Sequence, residues 1–453
     1  MKPVRTFDLI VIGTGSAGAT AAHQCRAAGW KVAIVDSQPF GGTCALRGCD
    51  PKKVLVGAAE LMDWYRRMEG KGITGRAVRI DWPALLRFKQ TFTDPVPKNR
   101  EEGYAKAGIV ALQGRAQFVD RNVLRVGDEI LDATHVLIAA GAKPAPVGVP
   151  GEEHLTTSTD FLELDVLPKR ALFVGGGYIS FEFAHVAVRA GASVRILHKD
   201  DHPLAAFDQD LAALLVGATR DLGVDVQLNA PVEKIEKRGS TLVVHARTGD
   251  RRETFDADLV VHGAGRVPDI DDLELERANV QRERGGVVVN EYLQSVSNPA
   301  VYAAGDAAAS GGPPLTPVAA LEGHVAAMNL LNGNQLPVPD YTNVASVVFT
   351  VPPLASVGLQ EATAKERGLK FLVKHEDTSW WYSTRRVNLP VSGYKTLVEE
   401  GSGRILGAHL FGPHADEVIN LFALAMHAGI SAGKLRGIPW GYPTSSSDIP
   451  YMM

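Results

Sequence analysis

Cysteine is nearly absent from this chain, with three residues in 453, at positions 25, 44 and 49. That scarcity excludes a disulfide-framed scaffold, and without a Cys-x-x-Cys or a Cys/His cluster no zinc or other metal site is expected. No apolar run reaches the length of a membrane span, and Leu9-Ile10-Val11-Ile12 behind Lys2 and Arg5 is too short for a signal segment. An excess of one charge is lacking too: 47 Lys and Arg against 51 Asp and Glu leave a net charge of −4. Nothing here carries the basic footprint of a nucleic-acid binder, and neither nucleic acid nor membrane is an expected partner. Low-complexity tracts and short-period repeats are missing as well. Few cysteines and no export signal point to a reducing, cytoplasmic location. The composition, 45% hydrophobic and 22% charged, is that of an ordinary globular protein. A chain of this length is expected to divide into roughly two to four domains.

Two of the three cysteines stand close together in Gly41-Gly42-Thr43-Cys44-Ala45-Leu46-Arg47-Gly48-Cys49-Asp50-Pro51-Lys52-Lys53, ahead of a helix-like segment over 54–68. On a regular helix, residues five apart have Cα atoms ~8.7 Å apart. A disulfide needs less than about 7 Å. A Cys44–Cys49 bridge therefore demands a distorted first turn, which Gly41, Gly42 and Gly48 permit and Pro51 tolerates. So short a loop gains little from a permanent staple, so a bridge here is more useful opened and closed. Two structural thiols, or half of a metal site, are the alternatives left by spacing alone.

Glycine is placed with purpose elsewhere. A strand over 7–12 runs into Gly13-Thr14-Gly15-Ser16-Ala17-Gly18, then a helix over 19–28, then a strand over 31–35 ending at Asp36. The glycines allow a tight turn and a close backbone approach to pyrophosphate at a helix N-terminus, and Asp36 stands where a carboxylate takes ribose hydroxyls. Cys25, inside that helix, reads as a small core residue. The pattern returns with a strand over 171–174, Gly175-Gly176-Gly177-Tyr178-Ile179-Ser180, a helix to 190 and a strand over 193–197. This second strand ends on His198-Lys199 instead of an acid, which favours the 2′-phosphate of NADPH. Asp200 and Asp201 offset that charge, so NADH stays open.

Between and beyond these units, 81–107 reads as helix broken near Pro95 and Pro97, and 135–140 as a strand. Pro144, Pro146, Pro150 and Gly151 mark a boundary. Strands over 259–265 and 300–304 lead into Arg266-Val267-Pro268 and Gly305-Asp306, and Leu315-Thr316-Pro317-Val318 opens a helix to 331. Its N-terminus suits developing negative charge. After Asn334-Gln335-Leu336-Pro337, alternating strands over 344–349, 371–375, 393–399 and 405–411, with helices near 362 and over 415–428, suggest a separate α+β domain.

In order and spacing, Gly13–Gly18, the Gly42-Thr43-Cys44…Cys49-x-Pro51-Lys52 block, Gly175-Gly176-Gly177-Tyr178-Ile179-x-x-Glu182, Gly265-Arg266-x-Pro268 and Ala304-Gly305-Asp306 resemble the flavoprotein disulfide reductases. Glutathione reductase, dihydrolipoamide dehydrogenase and mercuric reductase belong to that family, and the resemblance spans essentially the whole chain. It implies an α/β fold with two Rossmann-like domains. An FAD domain over 1–147 and 268–337 would hold an inserted NAD(P) domain over 148–267, followed by a dimerisation domain over 338–453. It implies FAD and NADPH (or NADH) as cofactors, a homodimer and a small-molecule acceptor.

The resemblance also assigns residues. Gly13, Gly15, Ser16, Gly18 and Asp36 would hold the FAD pyrophosphate and ribose, Asp306 the ribityl chain, and Thr316 the helix end at the flavin. Gly175, Gly177, His198 and Lys199 would hold the nicotinamide dinucleotide. Gly42, Thr43, Ala116, Gly141 and Gly265 complete the cofactor contacts. Tyr178 would gate the flavin, and Glu182 would pair with Lys52 or Lys53. Cys49 would be the flavin-proximal sulfur and Cys44 the one that attacks substrate.

The chain departs from the family at its C-terminus. The usual His-Pro-Thr…Glu reads Tyr442-Pro443-Thr444-Ser445-Ser446-Ser447, with Asp448 next. Tyrosine, with an ordinary pKa of about 10, is a poor base at neutral pH but can donate a proton. Tyr442 is thus either the acid–base group or interface filling, and His409, His414 and His427 are the other candidate bases. Mercuric reductases also place a tyrosine there, yet the C-terminal cysteine pair they use is missing from Ile449-Pro450-Tyr451-Met452-Met453. His23 replaces an arginine that glutathione reductase offers from its first helix, which weakens oxidised glutathione as substrate. A metal-ion reductase, a quinone-reducing diaphorase that does not need the thiols, and a redox-sensing or partner-docking subunit therefore remain beside the disulfide reductase.

Overall fold

The computed structural model describes residues 4–75, 78–249, 251–335 and 338–453. The chain divides into two units, one made of Met1–Pro51, Phe88–Ala145 and Arg266–Tyr341 and the other of Lys52–Arg87, Pro146–Gly265 and Thr342–Met453.

The first unit is built on a seven-stranded sheet. Strand Arg5–Ile12 pairs in parallel with Val32–Asp36 on one side and Glu129–Ile138 on the other, and Val110–Gln113 and Val301–Ala303 extend the parallel part. Val123–Val126 and Ala116–Asp120 continue the sheet antiparallel. Side chains alternate between faces along a strand. Ile10 and Ile12 accordingly join one apolar cluster, and Leu9 and Val11 join another. A central strand covered on both faces needs such a continuous apolar run.

Helix Ser16–Ala27 covers the second cluster with Ala17, Ala21, Ala22 and Cys25. Burial pushes the Cys25 thiol up to about 12, which makes it a core residue rather than a reactive one. Helix Thr316–Asn332 crosses this first helix at close range. A Cβ at Gly323 would lie 2.3 Å from the Ala17 carbonyl oxygen, so only glycine allows the crossing.

The second unit contains a four-stranded parallel sheet in the order Asp225–Gln227, Ser193–Leu197, Arg170–Val174, Leu259–His262, with helix Tyr178–Arg189 after its first strand. A three-stranded antiparallel sheet over 232–257 belongs to the same unit, as does helix Gln209–Asp221, capped by Asp208, which accepts from Leu211 N at 3.3 Å. Its last part is a five-stranded antiparallel sheet, Ser346–Val348, Leu354–Gly358, Ile405–Phe411, Gly393–Glu399, Phe371–Asp377, packed by helix Ala415–His427.

The expected elements largely appear, with shifted ends. Helices expected to start at 19 and 54 start at Ser16 and Cys49, because in each case the glycine-containing loop itself turns helical. The strands expected over 300–304 and 344–349 shorten to Val301–Ala303 and Ser346–Val348.

One buried charge ties elements of the second unit together. Lys395 is 3% exposed on strand Gly393–Glu399 and pairs with Asp208 at 2.9 Å, Glu361 at 3.2 Å and Asp210. Burial alone would lower the ammonium, but hydrogen bonds to Asp210 and Asp208 outweigh it and hold the group above its ordinary value. Removing one partner of a buried pair strands the other. We expect Lys395→Ala to cost about 3–5 kcal/mol in denaturant unfolding, while Lys365→Ala, which opens the exposed pair to Glu361, costs under about 0.5 kcal/mol. Asp210 titrates below the ordinary carboxyl range chiefly through its hydrogen bond from Lys395, whereas Glu361 does so chiefly through Lys365. The Asp210 contribution is present at neutral pH and lost on acidification, so Lys395→Ala should also lose less stability between pH 5 and about pH 3 than the parent.

Candidate active site

The redox loop is shaped by two glycines. Gly42 adopts φ 74°, and a Cβ there would lie 2.4 Å from the Gly15 Cα, so the loop is seated directly against the first glycine-rich turn. A short helix, Gly42–Arg47, ends at Gly48 (φ −143°, ψ −110°), and a 20-residue helix, Cys49–Met68, begins at the next residue. The distortion expected of a first turn is thus a complete helix break between the two cysteines.

The break brings the sulfurs together. Both cysteines are thiols here, Cys44 partly buried and Cys49 exposed, and Cys44 hydrogen bonds to Cys49. That bond, and then burial, hold the Cys44 thiol well above its ordinary value, with an opposing hydrogen bond from Thr316. Cys49 Sγ lies 3.4 Å from Thr316 Oγ1, and Cys44 Sγ lies 3.9 Å from Asp50 Oδ1. Cys49 opens its helix and Thr316 opens the 17-residue helix Thr316–Asn332, so two helix N-termini meet at the Cys49 sulfur. Helix N-termini favour negative charge. Cys49, at two helix N-termini, is the better seat for charge. Sequence reasoning assigned Thr316 to the flavin and passed over Asp50; a carboxylate next to a paired cysteine was the available signal.

The residues of the first dinucleotide motif fit an FAD. Helix Ser16–Ala27 has Gly15 as N-cap without a side-chain cap, leaving its first N–H groups for a phosphate. A Cβ at Gly15 would find nothing nearer than the Gly42 Cα at 4.0 Å, so the approach is open. Asp36 is held in place by Thr14 N at 2.8 Å, Thr14 Oγ1 at 2.6 Å and Gln38 N at 2.9 Å. Gly18 packs beneath the turn, Thr43 is exposed beside Cys44, and Gly141 follows the strand Glu129–Ile138. Ala116 is 3% exposed and sits in the core of the antiparallel arm. Asp306 lies in the turn after strand Val301–Ala303, its carboxyl raised by burial and pulled back by Arg266.

In the second unit, Lys52 is the lysine that pairs with Glu182, Nζ to Oε2 at 2.8 Å, and Glu182 is 2% exposed. Lys53 instead reaches Glu60 at 3.3 Å and Asp416 at 3.6 Å. Glu182 Oε1 also accepts from Phe349 N at 2.8 Å, and both lysine ammoniums lie over the Phe349 ring, at 4.6 Å and 4.4 Å. No local signal in the sequence announced Phe349 or Asp416.

Gly177 caps helix Tyr178–Arg189 without a side chain, and Tyr178 at its start is 47% exposed. Gly175 underlies the turn against the Gly263 carbonyl, and Gly265 takes φ 106°. His198 departs from the expected cation. Its Nδ1 accepts from Gly176 N at 2.9 Å and burial lowers its pKa, so it is a neutral prop for the turn. Lys199 stays exposed, 3.9 Å from Asp200.

Near the C-terminus, Tyr442 is 78% exposed and stacks on Tyr382 at 6.4 Å. Ser447 and Thr444 form a capping box. His409 is fully buried, with Ser356 Oγ at 2.7 Å and the Leu359 carbonyl at 3.1 Å on its two nitrogens, which takes it out as a base. His23 stacks on Tyr104. Among the described residues no helix is long and apolar enough to cross a membrane, and no group of three or more His, Cys, Asp or Glu could hold a metal ion.

Comparison with known proteins agrees with this geometry. Residues 7–323 match the family described as pyridine nucleotide-disulphide oxidoreductase, and residues 344–453 match its dimerisation domain. A glutathione reductase from Burkholderia cepacia is 34% identical over 450 residues, covering 98% of this chain and 97% of its own length. A mercuric reductase from Bacillus cereus is 31% identical, over 98% of this chain and 70% of the relative. A dihydrolipoyl dehydrogenase from Bacillus subtilis is 30% identical, over 98% and 94%. Among solved structures, the Cu(II) complex of the HOCl-induced flavoprotein disulfide reductase RclA from Escherichia coli superimposes with a TM-score of 0.88 at 28% identity, covering 99% of both chains.

The hydrogen bond from Cys44 to Cys49 has a measurable consequence. Removing the acceptor in Cys49→Ala lowers the Cys44 pKa, exposes more thiolate and speeds alkylation. We expect Cys44 in reduced protein to alkylate slowly at pH 7 and several-fold faster in the variant, followed by mass spectrometry with iodoacetamide. Equal rates in the two proteins would refute the proton-sharing arrangement.

Proposed function

The chain belongs to the pyridine nucleotide-disulphide oxidoreductases, and from that premise we propose that it carries electrons from a reduced nicotinamide to the Cys44–Cys49 pair and on to a small acceptor, with a disulfide as the main reading. The observation that carries this is the thiol pair itself, two sulfurs joined by a hydrogen bond across a helix break at two helix N-termini. FAD, when bound, supplies the two-electron relay between nicotinamide and dithiol. Gly13, Gly15, Ser16, Gly18 and Asp36 would hold its pyrophosphate and ribose, and Asp306 its ribityl chain. We assign 1–147 and 268–337 to the FAD domain, 148–267 to the nicotinamide domain and 338–453 to a homodimer interface. Lys52 is the lysine we assign to the flavin, on the strength of its pair with Glu182. Lys199 is an exposed cation at its strand end that could meet a 2′-phosphate, so NADPH is the donor we expect, with NADH the alternative.

The chemistry balances as one reduced nicotinamide and one proton consumed for two thiols made from an acceptor disulfide. The Cys44 sulfur bonds to one acceptor sulfur as the acceptor disulfide breaks, and the leaving sulfur takes a proton. Cys49 then attacks Cys44, releasing the second thiol and restoring the Cys44–Cys49 disulfide. Tyr442 of the partner subunit is the proton donor we propose for the leaving sulfur, in place of the family's histidine.

A second reading is reduction of a thiol-bound metal ion as substrate at the same pair. It draws on the mercuric reductase relative and on the Cu(II) complex of the RclA neighbour.

The test is a panel of acceptors with NADPH and NADH: oxidised glutathione, lipoamide, coenzyme A disulfide, mercuric ion with thiol, Cu(II) with thiol, and a quinone. We expect one disulfide or metal to turn over fast and Cys44→Ser to lower that rate at least about 10³-fold. If only the quinone reacts, and Cys44→Ser reacts equally well, the dithiol role is wrong.

A further inference from the structure

Glu322 is a carboxylate that no part of the sequence pattern marks. It lies two turns into helix Thr316–Asn332 and is 1% exposed. Its two oxygens collect three donors at short range. Oε2 accepts from Gly305 N at 2.6 Å, and Oε1 accepts from Ser310 Oγ and from Tyr341 OH, both at 2.6 Å. No lysine or arginine pairs with it among the described residues; neutral donors alone satisfy it. Ser310 Oγ in turn accepts from Gly312 N at 3.2 Å, so the chain after the Gly305–Ala307 turn is gathered onto the same carboxylate.

Gly305 is the pivot of this arrangement. It follows strand Val301–Ala303, adopts φ 69° and directs its N–H onto Glu322 Oε2 at 2.6 Å. An unsatisfied buried N–H is costly, and the bond to a charged acceptor fixes the turn. The next residue is Asp306, whose side chain goes wherever that turn points it. The same helix carries Thr316, 3.4 Å from Cys49 Sγ, and is held against Ala17 by the contact at Gly323. Its register is therefore fixed by the redox sulfur, by the first helix and by Glu322.

We propose that Glu322 is a positioning residue for the FAD site, setting the Gly305–Asp306 turn so that Asp306 meets the ribityl chain. This rests on the assignment of Asp306 made above.

The experiment compares four holoenzyme variants by FAD dissociation constant and by the visible spectrum of bound flavin. Glu322→Gln keeps size but leaves one acceptor oxygen for three donors. We expect it to bind FAD about tenfold more weakly, with a shifted flavin band, in line with Asp306→Asn. Ser310→Ala and Tyr341→Phe leave the Gly305 bond in place and should stay within about twofold of the parent. Unchanged affinity and spectrum in Glu322→Gln, while Asp306→Asn weakens FAD, overturns the proposal and leaves the Asp306 assignment standing. Equal losses in all three Glu322-network variants also overturn it, because a general staple would then explain the effect. An Asp306→Asn protein that binds FAD normally overturns the Asp306 assignment and the proposal together. If Glu322→Gln does not fold, Glu322→Asp, which withdraws the carboxylate from Gly305 N, is read in its place.

Discussion

Two backbones meet at Gly15 and Gly42, and much of the first unit follows from how closely they do so. Any side chain at Gly42 would strike the Gly15 Cα, so the redox loop rests on the turn that opens the first helix. That seating puts a helix break next to a phosphate-type helix N-terminus. The break, and not a disulfide, is what aligns the sulfurs in the reduced protein. Once Cys49 begins a 20-residue helix it acquires the electrostatics of the end of a long helix, whereas Cys44 sits in a helix of only six residues. The two thiols are chemically unequal before any cofactor or substrate arrives.

Buried carboxylates do a comparable job at several other points, and each is satisfied differently. Glu182 takes a lysine and a backbone N–H, Asp208 takes a lysine and caps a helix, and Glu322 takes three neutral donors. A buried charge left unpaired costs more than a good pair returns. Such groups therefore mark places where the backbone has one allowed arrangement. Glu182 and Glu322 fix segments that the cofactor roles proposed here depend on, whereas Asp208 fixes only packing.

The C-terminal segment has a different character. Tyr442 is exposed and stacks on another exposed tyrosine, and of the histidine candidates His409 is buried and held on both ring nitrogens, whereas His414 and His427 stay exposed. A chemistry that needs a proton donor at that position has the phenol to draw on.

Local order carried most of the fold into the sequence. Glycine turns between apolar strands and helices are short-range patterns with direct physical meaning, so the two dinucleotide motifs, the helix broken near Pro95 and the alternating C-terminal strands were legible from residue order. The paired cysteines were legible for the same reason. Three-dimensional packing decided the rest. It chose Lys52 over Lys53 for Glu182, because adjacent residues on a helix point about 100° apart and only one can face a given partner. It turned His198 inward as a neutral prop, since Gly176 leaves room for an imidazole and offers it an N–H. It also joined Glu322 to Gly305, 17 residues away, and Cys49 to Thr316, 267 residues away. Residue order determines which groups a short stretch can present; which of them meet depends on the packing of segments distant in sequence, and that is settled only when the chain has folded.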